Sequence, residues 1–121
     1  MPKILIIEDD KFSREMMARK VVAAGFEVSQ AADGEQGMEL IKKEKPDLIL
    51  LDLVLPKLSG KDILSAIKQN KELNSIPVVV LSNLDQMEDK DEMLKSGVVD
   101  YIVKAHFTPT EIVERIKKFL K

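Results

Sequence analysis

Short unbroken runs of apolar residues alternate along the chain with longer stretches in which apolar and polar residues mix. The runs at residues 4–7, 48–51 and 78–81 have the length and uniform hydrophobicity of strands buried on both faces of a parallel sheet. Residues 26–31 alternate apolar and polar side chains instead, which predicts an edge strand with one face toward water. A fifth short run, residues 101–103, precedes the last amphipathic stretch. Five strands are therefore expected.

The stretches between the predicted strands carry the signals that begin and end helices. Candidate N-caps are followed three residues later by an acid or amide at four places: Asp33 with Gln36, Ser59 with Asp62, Asp85 with Glu88, and Thr108 with Glu111. Gly25 and Gly97 follow the first and fourth helical segments, where a left-handed C-cap is expected. Strands that alternate with helices require right-handed crossovers and a parallel sheet covered on both faces. The sequence thus predicts an α/β, doubly wound (βα)5 fold.

Length and composition limit the number of domains, the kinds of partner and the metal ligands that the chain can have. A chain of 121 residues is near the usual size of one domain, so residues 1–121 are expected to form a single domain. The 19 basic and 21 acidic residues leave a net charge of −2, without the bulk positive field that would hold nucleic acid directly. Since the chain has no cysteine, oxygen atoms are the natural ligands for any metal ion. No apolar run reaches the length of a signal or membrane-spanning segment, so we expect no membrane insertion and a cytoplasmic location.

Polar side chains stand at or just after the carboxyl ends of four predicted strands. These residues are Glu8 and Asp9 after the first strand, Asp52 after the third, Ser82 after the fourth and Lys104 after the fifth. Packing does not require such residue types at the ends of apolar strands. Because ligands of doubly wound sheets bind beyond the carboxyl ends of the strands, we expect all five side chains to form one site.

Three carboxylates in one cleft repel one another, and a single lysine cannot neutralise them, which favours a bound divalent cation. Mg²⁺ prefers octahedral oxygen ligands and usually takes one or two carboxylates, so Asp9, Asp52 and one backbone carbonyl would be sufficient. A carboxylate beside Mg²⁺ and an ammonium group is equipped to attack phosphorus. Asp52 is the best candidate nucleophile because it ends a central strand, whereas Glu8 and Asp9 end the neighbouring strand and can bind the metal. Asp10 is expected to begin the first helix rather than to be a third metal ligand.

Four segments carry these residues in order: IIEDD at residues 6–10, LDLVLP at residues 51–56 followed by Gly60, LS at residues 81–82, and VK at residues 103–104. Together they resemble the receiver domains of bacterial two-component response regulators, particularly the single-domain chemotaxis-regulator type. The resemblance extends over the whole chain. It implies a flavodoxin-like, five-stranded parallel sheet in the order 2-1-3-4-5, with helices on both faces.

For the site, the resemblance implies transfer of a phosphoryl group to Asp52 from the phosphohistidine of a sensor histidine kinase or phosphotransfer protein. Mg²⁺ would be held by Asp9, Asp52 and the backbone carbonyl of Val54, with Glu8 acting through water. The last two helices and the fifth strand would then change their surface. A downstream effector protein, or an output domain absent from this chain, would receive the signal.

The resemblance also implies how phosphorylation is detected. Lys104 would contact the phosphoryl group, Ser82 would hydrogen bond to it and draw in the loop after the fourth strand, and Tyr101 would change rotamer. In the family the lysine is usually followed by proline with a cis bond, whereas Ala105 follows it here. We expect a trans bond between Lys104 and Ala105, because a cis bond without proline costs about 2.5–4 kcal/mol.

Two other functions use related chemistry. A phosphohydrolase with an aspartate nucleophile would typically carry a second acid two residues later, and Val54 stands at that position. A flavin electron carrier would need a Ser/Thr/Gly-rich phosphate loop after the first strand, where residues 8–10 are acidic. A signalling switch is therefore expected rather than a multiple-turnover enzyme. The sequence leaves open whether the chain works alone or within a longer regulator.

Overall fold

Strands and helices alternate in the computed structural model, which describes residues 1–53, 55–82 and 90–120 apart from the side chains of Lys90 and Glu92. The strands are β1 (Lys3–Ile7), β2 (Glu27–Ala31), β3 (Leu48–Asp52), β4 (Val78–Ser82) and β5 (Asp100–Val103). The helices are α1 (Lys11–Ala23), α2 (Gly34–Glu44), α3 (Gly60–Gln69), α4 (Lys90–Lys95) and α5 (Pro109–Ile116). Short 3₁₀ turns follow β5 and α5, at Lys104–His106 and Lys117–Phe119. Within these described ranges, no helix combines the length and hydrophobicity needed to cross a membrane.

All five strands are parallel and form one sheet in the order β2-β1-β3-β4-β5. The predicted doubly wound, flavodoxin-like fold is confirmed. β2 lies at an edge of the sheet, as its alternating sequence pattern predicted, and every residue of β3 and β4 is buried. Because the strands run in one direction, their carboxyl ends share one edge of the sheet, which is the edge that the candidate residues follow.

Alternate side chains of the central strands enter two hydrophobic clusters, one on each face of the sheet. In the first, the α1–α5 cluster, strand residues join Val21 of α1 and Ile112 of α5. In the second, the α2–α3–α4 cluster, strand residues join Ile41 of α2, Ile63 of α3 and Met93 of α4. Burial on both faces explains why the central strands are apolar without interruption.

Side-chain caps fix where the helices begin. The caps predicted for α2, α3 and α5 are confirmed, since Asp33, Ser59 and Thr108 each accept a hydrogen bond from the backbone N–H three residues later. Ser59 and Thr108 form complete capping boxes. Asp10 caps α1, accepting a backbone N–H at 2.9 Å, as expected. The cap predicted at Asp85 lies outside the described residues.

Glycine stands at several helix ends where a side chain would be strained or crowded. Gly25 and Gly97 have φ angles of 96° and 95°, which confirms the left-handed C-caps. Gly60 begins α3 against the end of β3, where a Cβ atom would lie 2.6 Å from the Asp52 carbonyl oxygen and 2.7 Å from the Leu53 Cα. The absence of a side chain at Gly60 therefore lets α3 pack directly on the strand end that carries Asp52.

Gly60→Ala is expected to lower the free energy of unfolding by about 1–3 kcal/mol, because the added methyl group overlaps backbone atoms that must move to make room. Urea denaturation followed by circular dichroism measures the change. Ser65→Ala, at an exposed position of the same helix, is the matched control and should change the free energy by less than about 0.5 kcal/mol. Equal stability of the two variants would contradict the close approach of α3 to β3.

Candidate functional site

Four strand ends bring the candidate residues to one edge of the sheet. Glu8 and Asp9 directly follow β1, Asp52 is the last residue of β3, Ser82 is the last residue of β4, and Lys104 directly follows β5. β1, β3, β4 and β5 are consecutive neighbours in the sheet. The ladder between β3 and β4 pairs Asp52 with Leu81, one residue before Ser82, so these two strand ends lie side by side.

The three acids form a compact cluster of oxygen ligands. One carboxylate oxygen from each of Glu8, Asp9 and Asp52 lies within 4.8 Å of the others. Glu8 and Asp52 are each only 4% exposed, whereas Asp9 is exposed, so the cluster opens to solvent on the Asp9 side. Oxygen donors, close spacing and one open side are what a Mg²⁺ ion that keeps several waters requires. The residues therefore fit the predicted metal.

Lys104 links two of the acids. Its Nζ donates a hydrogen bond to Glu8 Oε2 and lies 3.3 Å from Asp52 Oδ2. The lysine side chain is 25% exposed, so its charge is partly shielded from water. The ammonium group thus lies next to the candidate nucleophile, as predicted.

The pKa shifts at this site follow from burial and from the neighbouring charges. Burial raises the pKa of Glu8, and the charge of Asp52 adds to the rise, although the hydrogen bond from Lys104 opposes it. Burial alone would lower the pKa of Lys104, but its hydrogen bond to Glu8 and the charges of Asp52 and Glu8 outweigh burial and raise it. Lys104 is therefore protonated at neutral pH. Its single charge faces three acidic groups, which leaves a site suited to a further cation.

Ser82 contributes a hydroxyl group at the end of β4. The residue is fully buried, and its Oγ atom has no hydrogen-bond partner among the described residues. A buried hydroxyl without a partner is costly. Its place beside the Asp52 strand end makes it available to a ligand bound at the cluster.

Tyr101 lies in β5, opposite Val80 of β4 in the ladder. It is buried in the α2–α3–α4 cluster. The structure therefore places Tyr101 in the core, on the face that carries α4, and a change of its rotamer would disturb the packing of that cluster. Its predicted switching role stays a prediction.

Two predicted details concern the backbone near the site. Val54, whose carbonyl was expected to bind Mg²⁺, lies outside the described residues, so this ligand stays a prediction. The peptide bond between Lys104 and Ala105 is trans, since the described residues contain no cis peptide bonds. The two residues begin the 3₁₀ turn Lys104–His106.

Arg14 is a neighbour of the site that sequence analysis missed. Its Nη1 donates to the carbonyl oxygen of Glu8 at 3.0 Å, and its Nε donates to Gln30 Oε1 at 3.3 Å. The position of Arg14, four residues after the N-cap Asp10, was the available signal, because a long side chain in the first turns of α1 can reach back to the end of β1.

Comparison with known proteins adds independent support. The model of the response regulator receiver domain family matches residues 4–117. The DNA-binding dual master transcriptional regulator RpaA of Synechocystis is 37% identical over 121 residues, which are 100% of this chain and 50% of that protein. The chain thus spans about half the length of the curated relatives it matches.

Solved structures are similar over nearly the whole chain. The receiver domain of the Francisella response regulator 1452 has a TM-score of 0.89 and 33% identity, covering 98% of this chain and 96% of that one. The Mn²⁺-bound form of response regulator Rcp1 has a TM-score of 0.85 and 31% identity, with 98% and 94% covered. Because sequence, fold and strand order agree across almost its entire length, the chain belongs to the response regulator receiver domain family.

Proposed function

We propose that residues 1–121 act as one receiver domain whose Asp52 accepts a phosphoryl group from a sensor histidine kinase or phosphotransfer protein. The proposal rests on the position of Asp52 and on the groups that surround it. Its carboxylate ends a central strand, lies within 4.8 Å of Glu8 and Asp9 oxygens, and is 3.3 Å from the Lys104 ammonium. A rigid acid between a metal site and a cation is arranged for nucleophilic attack on phosphorus.

The proposed step is a transfer between two protein side chains. A carboxylate oxygen of Asp52 forms a bond to phosphorus as the bond between phosphorus and the donor's imidazole nitrogen breaks. Because the other ring nitrogen of the donor carries a proton, the histidine leaves as neutral imidazole with the electron pair of the broken bond on its nitrogen, and Asp52 becomes an acyl phosphate. Lys104 balances the charge on the phosphoryl oxygens, and the buried Ser82 hydroxyl gains the hydrogen-bond acceptor that it lacks among the described residues.

Asp9 and Asp52 would ligate Mg²⁺ directly, with Glu8 acting through water and the carbonyl of Val54 completing the protein ligands. Bound there, Mg²⁺ would neutralise charge that develops on the transferring group. The similar response regulator Rcp1 has been solved in a Mn²⁺-bound form, and Mn²⁺ shares with Mg²⁺ a preference for carboxylate, carbonyl and water oxygens. This likeness supports a divalent cation at the acidic cluster.

Phosphorylation would be detected by partners at the face of the sheet that carries Tyr101. The Ser82 hydroxyl and the Tyr101 ring lie in neighbouring strands, and a hydrogen bond from Ser82 to the phosphoryl group would bias the segment between them. The receiver would act in the cytoplasm on an effector protein or on an output domain beyond this chain. With a net charge of −2, these 121 residues would not themselves hold nucleic acid.

Metal removal tests the proposal on the wild-type protein. Incubation with Mg²⁺ and a small acyl phosphate is expected to add the mass of one phosphoryl group per chain, and incubation with the same donor and a chelator is expected to add none. Intact-protein mass spectrometry measures the difference. Equal phosphorylation without the metal would contradict the metal role, and hydrolysis of many donor molecules per chain would favour a phosphohydrolase.

A further inference from the structure

The peptide group that joins Glu8 to Asp9 lies just past the end of β1. The ladders from β1 end at Ile7, which pairs with Ala31 of β2 and Leu51 of β3. The Glu8 N–H still donates to the Ala31 carbonyl at 3.0 Å. The Glu8 carbonyl lies beyond these strand pairs and accepts a hydrogen bond from the side chain of Arg14 at 3.0 Å.

Arg14 connects three parts of the fold at this point. It belongs to α1, its Nη1 contacts the backbone that follows β1, and its Nε contacts Gln30 of β2 at 3.3 Å. A guanidinium group holds its donors in a rigid planar fork, so two acceptors in different elements can be fixed by one side chain. Arg14 is half-buried and its hydrogen bond to the Glu8 carbonyl is partly buried, which limits competition from water for that bond.

The Glu8 carbonyl and the Asp9 backbone nitrogen belong to the same planar peptide group. The direction of this carbonyl therefore fixes where the Asp9 Cα lies relative to the end of β1 and limits the directions in which the Asp9 side chain can leave the backbone. Asp9 is the exposed member of the acidic cluster, so packing contributes less to its orientation than to that of the buried Glu8 and Asp52. The hydrogen bond from Arg14 supplies the constraint that packing does not.

We propose that Arg14 is a positioning residue for the cation site: its hydrogen bond to the Glu8 carbonyl orients the peptide group that carries Asp9. This inference rests on the proposed Mg²⁺-dependent function. Arg14 contacts the backbone of the acidic pair and acts on the metal only through it. Groups that orient direct metal ligands commonly change metal affinity by about 10–100-fold when they are removed.

The direction in which the Mg²⁺ affinity changes when Arg14 is removed distinguishes a positioning role from a purely electrostatic one. If Arg14 were only a nearby positive charge, its removal would reduce repulsion and strengthen the binding of a cation. If Arg14 positions Asp9, its removal weakens the binding of the same cation. The two explanations therefore predict opposite shifts in the dissociation constant of Mg²⁺.

In the experiment, the full chain is titrated with MgCl₂. Calorimetry measures the Kd, and ¹H–¹⁵N spectra report the environment of the backbone amides. Arg14→Ala is expected to raise the Kd by about tenfold and to shift the Asp9 amide resonance before any metal is added. Arg14→Lys keeps the charge and one possible donor, so it should recover part of the lost affinity. Arg19→Ala removes an arginine from an exposed position of the same helix and is the matched control, with a Kd equal to or slightly below that of wild type.

A Kd for Arg14→Ala at or below the wild-type value overturns the positioning role while leaving the metal site intact. If the wild-type chain binds no Mg²⁺, the proposed function and this inference both fail. Should Arg14→Ala not fold, as judged by circular dichroism, Arg14→Lys decides. It keeps the charge but cannot make both hydrogen bonds of the guanidinium, so a Kd above wild type supports the proposal, whereas a Kd equal to that of wild type overturns it.

Discussion

Asp52→Ala is expected to take up no phosphoryl group under conditions in which the wild-type chain acquires one. Asp52 is the last residue of β3, a strand that is buried along its whole length, and its Oδ2 lies 3.3 Å from the Lys104 ammonium. Glu8 accepts a hydrogen bond from the same lysine but follows the end of β1, and its carboxylate is expected to act through water at the metal rather than as the nucleophile. The expected loss is therefore complete, and intact-protein mass spectrometry measures it.

Two further variants make this result interpretable. Asp52→Asn keeps the shape of the side chain but replaces the nucleophilic carboxylate with an amide, so it should also remain unmodified. Asp91→Ala removes an acid from an exposed position of α4 and should be phosphorylated as the wild type is. Modification of Asp52→Asn at another acid of the cluster, located by peptide mapping, would move the acceptor role away from Asp52.

Lys104→Ala is expected to slow phosphoryl transfer while strengthening the binding of Mg²⁺. The rate of phosphoryl transfer should fall by about 100-fold, because the ammonium no longer balances the charge that develops on the phosphoryl oxygens. Mg²⁺ should nevertheless bind more tightly, since the lysine no longer competes for Glu8 and Asp52. Stopped-flow phosphorylation with a small acyl phosphate gives the rate, and calorimetric titration with MgCl₂ gives the affinity.

Lys42→Ala, at an exposed position of α2, is the control for the loss of one positive charge and should leave both values close to wild type. A parallel loss of rate and of Mg²⁺ affinity in Lys104→Ala would contradict the separation. It would indicate that the lysine holds the acids in place rather than acting on the phosphoryl group.

Much of the fold could be predicted because its determinants are local. The capping boxes of Ser59 and Thr108 depend on side chains three residues apart, and the edge position of β2 follows from its alternating pattern. The candidate site could be predicted for a related reason. Parallel strands have their carboxyl ends at one edge of the sheet. Once the strands are identified in the sequence, the polar residues that follow them can therefore be expected to lie close together.

Other features depend on contacts that no local pattern encodes. The hydrogen bonds of Arg14 join α1 to the end of β1 and to Gln30 of β2, and their formation depends on how the helix lies across the sheet. The need for glycine at Gly60 follows from the approach of α3 to the carbonyl of Asp52, which is visible only in the packed structure. The chemical groups of the candidate site could be predicted from the sequence, whereas the contacts that hold them in place could not.

The two hydrophobic clusters lie on opposite faces of the same sheet. Tyr101 shares the α2–α3–α4 cluster with Met93, a buried side chain of the short helix α4. Helices α1 and α5 pack through the other cluster, on the opposite face of the sheet. Rearrangement of α4 would change the packing around Met93, which belongs to the α2–α3–α4 cluster and not to the α1–α5 cluster. Such a fold can remodel one of its faces without partial unfolding of the other.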